Sequence, residues 1–115
     1  VDSGGNFTFM VVAGGVQKSV RSPSSYLDDQ WHHVAASVGT AGTKLYVDGA
    51  LVATDPNTGA LALGAAGYWR WGGSRLDGVP NKPDNNYFSG WLDEVAVYHA
   101  QLSDARIAAH YNANF

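Results

Sequence analysis

The stretch FSGWLDEVAVYH, residues 88–99, decides the fold of this 115-residue chain. Its β-branched and aromatic residues favour an extended strand. Leu92, Val95 and Val97 cannot share one face of a regular strand, because the step from 92 to 95 is odd. An extra residue at 93–94, a bulge, returns all three to one core-facing side. The run also sets two carboxylates, Asp93 and Glu94, side by side. Neighbours in a strand point to opposite faces, which does not suit a working pair of acids. Carboxylates at a broken ladder instead accept the backbone N–H groups it leaves free, and Asp93 is expected to do this.

Outward from this stretch, period-two alternation recurs almost everywhere. NFTFMVVA (6–13) and VQKSVRS (16–22) read as a hairpin around Gly14-Gly15, and PSSYLDDQ (23–30) as a loop. WHHVAASV (31–38) and TKLYV (43–47) are the next strands, and Asp48-Gly49 is a two-residue hairpin signal into ALVAT (50–54). DPNTG (55–59) is a further turn, while ALAL (60–63) and YWRWGG (68–73) are short strands. SRLDGVPNKPDNNY (74–87) is a long loop of the kind that carries function. LSDARIAAHY (102–111) is the one helix: Ser103 caps it, Asp104 suits its positive end, and Leu102 can staple onto Ile107. Many short strands with frequent turns make a two-sheet sandwich or jelly roll.

Composition narrows the function. A net charge of −3 provides no basic surface, so nucleic acid is not an expected partner. No apolar run approaches the roughly 20 residues that span a bilayer, so no membrane insertion is expected. With no cysteine there is neither disulfide nor thiolate chemistry. The opening VDSGGNFTFMVV has no charged leader and no starting Met, as a mature or excised piece would.

Four pieces in order, WHHVAASV, KLYVDGALVAT, WRWGGS and YFSGWLDEVAVYHAQLSDARIAAHY, resemble the laminin-G-like domains of the concanavalin A-like lectin and glucanase superfamily. The resemblance runs from about residue 31 to 111. It implies an all-β, two-sheet antiparallel jelly-roll sandwich with one short C-terminal helix, formed by residues 1–115 as a single domain. Domains of that family carry further strands before the segment that matches NFTFMVV. The resemblance therefore implies N-terminal truncation, completed by a further chain segment or by a partner.

Glycosidases of the superfamily set their carboxylates two residues apart on one strand, as Glu-x-Asp-x-Glu. Glu94 is the only glutamate of this chain, so catalysis is not expected and a hydrolase fragment is the weakest alternative. His32 and His33 would point to opposite strand faces, which favours packing or hydrogen bonding over a shared metal ion. In the family, apolar residues stand at the positions of Trp69 and Trp71, which implies that both are buried. Tyr68 and Arg70 then face outward, an aromatic face for stacking on sugar rings beside a bidentate donor. The loop offers Asp77, Asn81, Asp84, Asn85 and Asn86 as oxygen ligands, and many domains of this kind bind calcium at a sheet rim, which makes Ca²⁺ a candidate cofactor.

The expected function is a non-catalytic recognition module of a larger extracellular or cell-surface protein, binding a glycan or a protein surface. Its candidate site comprises Tyr68, Arg70, Arg75, Asp77, Asn81, Asp84, Asn85 and Tyr87, on an exposed sheet face and the rim loop. The alternative is an assembly module of a particle or fibre with no small ligand, whose open strand edges pair with another chain.

Overall fold

A computed structural model describes the chain apart from residues 14–15, 57–68, 74, 80 and 115. The expected Gly14-Gly15 turn, the strand at 60–63 and Tyr68 lie outside the described residues. Five strands and a helix follow in order: β1 (Thr8–Ala13), β2 (Val16–Arg21), β3 (Val34–Gly39), β4 (Gly42–Val47), β5 (Ala50–Asp55) and α1 (Asp104–Asn114). β1 and β2 form one antiparallel sheet, and β3-β4-β5 form a second. β2 lies against β4 and β5, so the two sheets stack.

Asp48 (φ 51°) and Gly49 (φ 76°) both adopt left-handed conformations, as a two-residue hairpin loop between twisted strands demands. Val47 therefore faces Ala50 and Tyr46 faces Leu51, but Leu45 faces Ala53, so Val52 is the extra residue of a bulge in β5. β4 is the central strand of its sheet, and Leu45, Tyr46 and Val47 are buried along it, with Val20 of β2 and Ile107 of α1. Each such side chain contributes about 1.5–3 kcal/mol by leaving water. The helix starts where its signals place it: the Ser103 hydroxyl accepts the Arg106 N–H at 3.2 Å. Asp104 serves a tertiary role as well, accepting from the Tyr46 hydroxyl at 2.7 Å and from Lys44 at 3.1 Å. Gly49 lets the helix close on the hairpin turn, since a Cβ there would sit 3.1 Å from the Tyr111 ring.

Three expected strands differ, one of them the run at 68–73, whose described residues 69–72 join no ladder. The ladder of β3 begins at Val34, not at Trp31, because the Asp48 carboxylate takes the His33 N–H at 3.0 Å. Trp31 is exposed. The strand expected over residues 88–99 forms no ladder among the described residues, and every side chain in it is exposed. A strand exists only through its neighbour's hydrogen bonds, and no described segment supplies them.

His32 hydrogen bonds, and does so at both ring nitrogens. Nδ1 lies 2.9 Å from Asp48 Oδ2 and Nε2 lies 3.0 Å from Asp28 Oδ1. The rings of Phe7 and Tyr26 meet it edge-on. Only the imidazolium donates at both nitrogens. Burial by itself would lower the His32 pKa, but the two carboxylates outweigh it and hold the value above 6.5. The stability this cluster contributes is therefore complete below the unfolded pKa and lost as pH rises through the higher folded one. The urea midpoint is expected to fall as pH rises through and above the ordinary histidine range, and His32→Gln to flatten that slope. Equal slopes in the two proteins would refute this role.

Candidate functional site

The rim loop closes onto the segment before it through a short bridge. Gly73 pairs antiparallel with Tyr87, and the Phe88 N–H donates to the Gly72 carbonyl at 2.8 Å. Gly73 lets the Tyr87 ring pack close, since a Cβ there would lie 2.9 Å from it. The Asn85 side chain accepts the Tyr87 N–H at 2.9 Å and holds the end of the loop. Around this bridge Arg70, Gly73, Arg75, Asn86 and Tyr87 line an open cleft of about 200 Å³.

Trp69 and Trp71 flank Arg70 and stack on each other, with ring centroids 6.3 Å apart and planes inclined by 23°. They are 64% and 50% exposed, so the expectation that they are buried is corrected. The reason is local: residues 69–72 belong to no ladder, so no sheet face points the indoles inward. For the same reason Arg70 stands on an irregular rim segment, not on an exposed sheet face. Arg70 is exposed and has no ion pair among the described residues. Arg75 donates through Nε and Nη2 to Asp77 Oδ2, at 3.1 and 2.9 Å, which neutralises its charge.

The structure thus brings Arg70, Arg75 and Tyr87 together, with Asp77 acting through Arg75 and Asn85 through the Tyr87 backbone. Asn81 and Asp84 are exposed and do not line the cleft. Asn81 is left-handed at φ 56°, and its carbonyl accepts the Ser3 N–H at 2.9 Å, a fastening for the N-terminal turn. Among the described residues no three His, Cys, Asp or Glu side chains converge. The site expected from sequence omits Asn86, which lines the cleft, and the exposed stacked pair Trp69 and Trp71, which flanks Arg70 in the chain; the Trp-Arg-Trp alternation was the available signal for the pair.

Asp93 and Glu94 form no acid pair facing a cleft. Glu94 takes a left-handed φ of 48°, and Asp93 Oδ1 accepts the Glu94 N–H at 2.8 Å. The kink lies where the odd step from Leu92 to Val95 requires one, and the carboxylate satisfies the backbone there. Among the described residues no helix is long and apolar enough to cross a membrane.

A family model described as the Concanavalin A-like lectin/glucanases superfamily, of the laminin G type, matches residues 1–108. No curated protein matches the chain. A solved structure of an S-layer domain-containing protein from Clostridium thermocellum ATCC 27405 is similar, with a TM-score of 0.59 and 26% identity. The match covers 93% of this chain and 52% of that one, so this chain spans about half the length of that structure.

Proposed function

The chain belongs to the concanavalin A-like lectin/glucanases superfamily, and from that membership we propose that it is a non-catalytic glycan-recognition module of a surface or extracellular protein. The observation that carries this reading is the exposed, stacked pair Trp69 and Trp71 beside the exposed guanidinium of Arg70. Large exposed aromatics are costly unless something covers them, and sugar rings present a matching apolar face. Tyr87 supplies a third aromatic surface, while Arg70 and Asn86 supply donors for ring hydroxyls. Tyr68 joins this set by its place in the sequence. The lack of catalysis is supported by the single glutamate and by the spent carboxylate of Asp93. The surface setting is supported by the similarity to an S-layer domain-containing protein.

A glycan array tests the reading. Saturable binding is expected, weakened roughly 10-fold by Trp69→Ala or Trp71→Ala, the worth of one stacked aromatic. Both side chains are exposed, so the melting temperature should stay near that of the parent. Absence of binding across the array, or binding indifferent to both substitutions, would refute it.

A further inference from the structure

The chain holds the same reactive dipeptide twice, Asp48-Gly49 and Asp77-Gly78. In an Asp-Gly pair the glycine nitrogen can attack the carboxyl of the side chain before it, because no Cβ crowds the approach. Both glycines are left-handed, with φ 76° at Gly49 and 78° at Gly78. What surrounds the two aspartates differs.

Asp48 is held at both carboxylate oxygens. Oδ1 accepts the His33 N–H at 3.0 Å, and Oδ2 lies 2.9 Å from His32 Nδ1. The turn is also covered by α1: a Cβ at Gly49 would meet the Tyr111 ring at 3.1 Å and Ala108 at 3.3 Å. The Asp48 carboxyl reaches Gly49 only after this part of the fold has opened. Asp77 is held at one oxygen, since both Arg75 donors meet Oδ2 and Oδ1 takes no hydrogen bond among the described residues. The pair is a surface one, with side chains 88% and 67% exposed, so it restrains Asp77 weakly. The Val79 N–H donates to the Leu76 carbonyl at 3.1 Å and closes a turn around Asp77 and Gly78. Among the described residues no backbone carbonyl takes the Gly78 N–H. A Cβ at Gly78 would meet only a Gln17 side-chain oxygen, at 3.6 Å, so the turn has room to rearrange.

We propose that Asp77-Gly78 is a site of isoaspartate formation, and that the fold protects Asp48-Gly49 from the same reaction. The Gly78 nitrogen bonds to Asp77 Cγ, and the carboxyl hydroxyl leaves with the amide proton as water, which closes a succinimide ring. Water then adds to one of the two ring carbonyls, and the C–N bond at that carbonyl breaks. Opening at Cγ restores Asp77. Opening at the backbone carbonyl leaves the main chain running through Cγ. One water is lost and one regained, so neither oxidant nor reductant takes part. In the product the carboxylate sits directly on Cα, and the main chain of the turn is one methylene longer. Arg75, which lines the cleft, thereby loses the partner that neutralises it. The reaction is independent of the glycan reading.

Peptide mapping of the folded protein after weeks in neutral buffer tests this, with isoaspartate located by fragmentation and by an isoaspartyl methyltransferase. Isoaspartate should form at residue 77 roughly 10-fold or more faster than at residue 48, since only Asp48 waits on local unfolding. In concentrated urea the two rates should converge, because the protection of Asp48 is tertiary. Gly78→Ala should slow the reaction at residue 77 several-fold while the circular dichroism spectrum is kept. Equal rates at the two sites in the folded protein, or no isoaspartate at residue 77, overturn the proposal. So does a difference that persists in urea, which would place its cause in the local sequence.

Discussion

Gly42→Ala is expected to lower the unfolding free energy by roughly 4 kcal/mol, enough to move the urea midpoint far outside experimental error. Gly42 has φ 102°, a conformation that residues with a Cβ rarely adopt. A Cβ there would lie 2.1 Å from the Asp55 carbonyl oxygen and 2.6 Å from Pro56 Cα. Both are backbone atoms, so no side chain can rotate away. The next residue, Thr43, pairs with Asp55, and the shift would spread into the β4–β5 ladder that carries Leu45 and Tyr46. Gly78→Ala is the control. Its φ of 78° is also left-handed, but its nearest neighbour is a flexible Gln17 oxygen at 3.6 Å. That substitution should cost only about 1 kcal/mol. Equal midpoints for the two variants would show that the close approach to Asp55 is unimportant.

Asp2→Ala is expected to cost about 3 kcal/mol and to lower the melting temperature by roughly 10–15 °C. Its side chain is 2% exposed and forms an ion pair with Arg21. The carboxylate also accepts the N–H groups of Gly4 at 2.9 Å and Asn6 at 3.0 Å. Arg21 continues to Asn6 Oδ1 at 2.7 Å, and Asn6 donates to the Ser22 carbonyl at 2.9 Å, so one network joins the N-terminal turn to the end of β2. Removing Asp2 leaves the buried Asn6 N–H without this partner, while Gly4 and Arg21, 42% exposed, regain water. Burial would raise the Asp2 pKa, but Arg21 and the two N–H donors outweigh it and hold the value low. Stability from this group is therefore present above the ordinary carboxylate pKa and is lost as pH falls through the depressed one. Asp2→Asn should remove that acid-side dependence, and an unchanged acid limb would count against the network.

The five strands were legible because they are local: each alternates, and each pairs with its sequence neighbour through a short turn. Asp48-Gly49 named its own hairpin, and Ser103 its own helix start. The candidate site was legible only in part. Arg70, Arg75 and Tyr87 were readable as polar and aromatic residues on a rim. The exposure of Trp69 and Trp71 was not, since alternation places two indoles on one side but does not say whether anything lies there. Asp2 and Arg21 were missed because their bond joins residues 19 apart through a loop, and no periodicity reports such a contact.

The sequence by itself determined the order of the five paired strands and the helix, the Asp48-Gly49 turn and the kink at 93–94, because these follow from backbone sterics and side-chain alternation within a few residues. Only the tertiary structure decided that His32 is clamped between Asp28 and Asp48, and that the Trp69–Tyr87 rim is open. It also decided that residues 91–98 join no ladder among the described residues. A strand-forming sequence states a preference for extension; its ladder exists only where a second backbone comes within hydrogen-bonding reach, and that is a property of the assembled molecule.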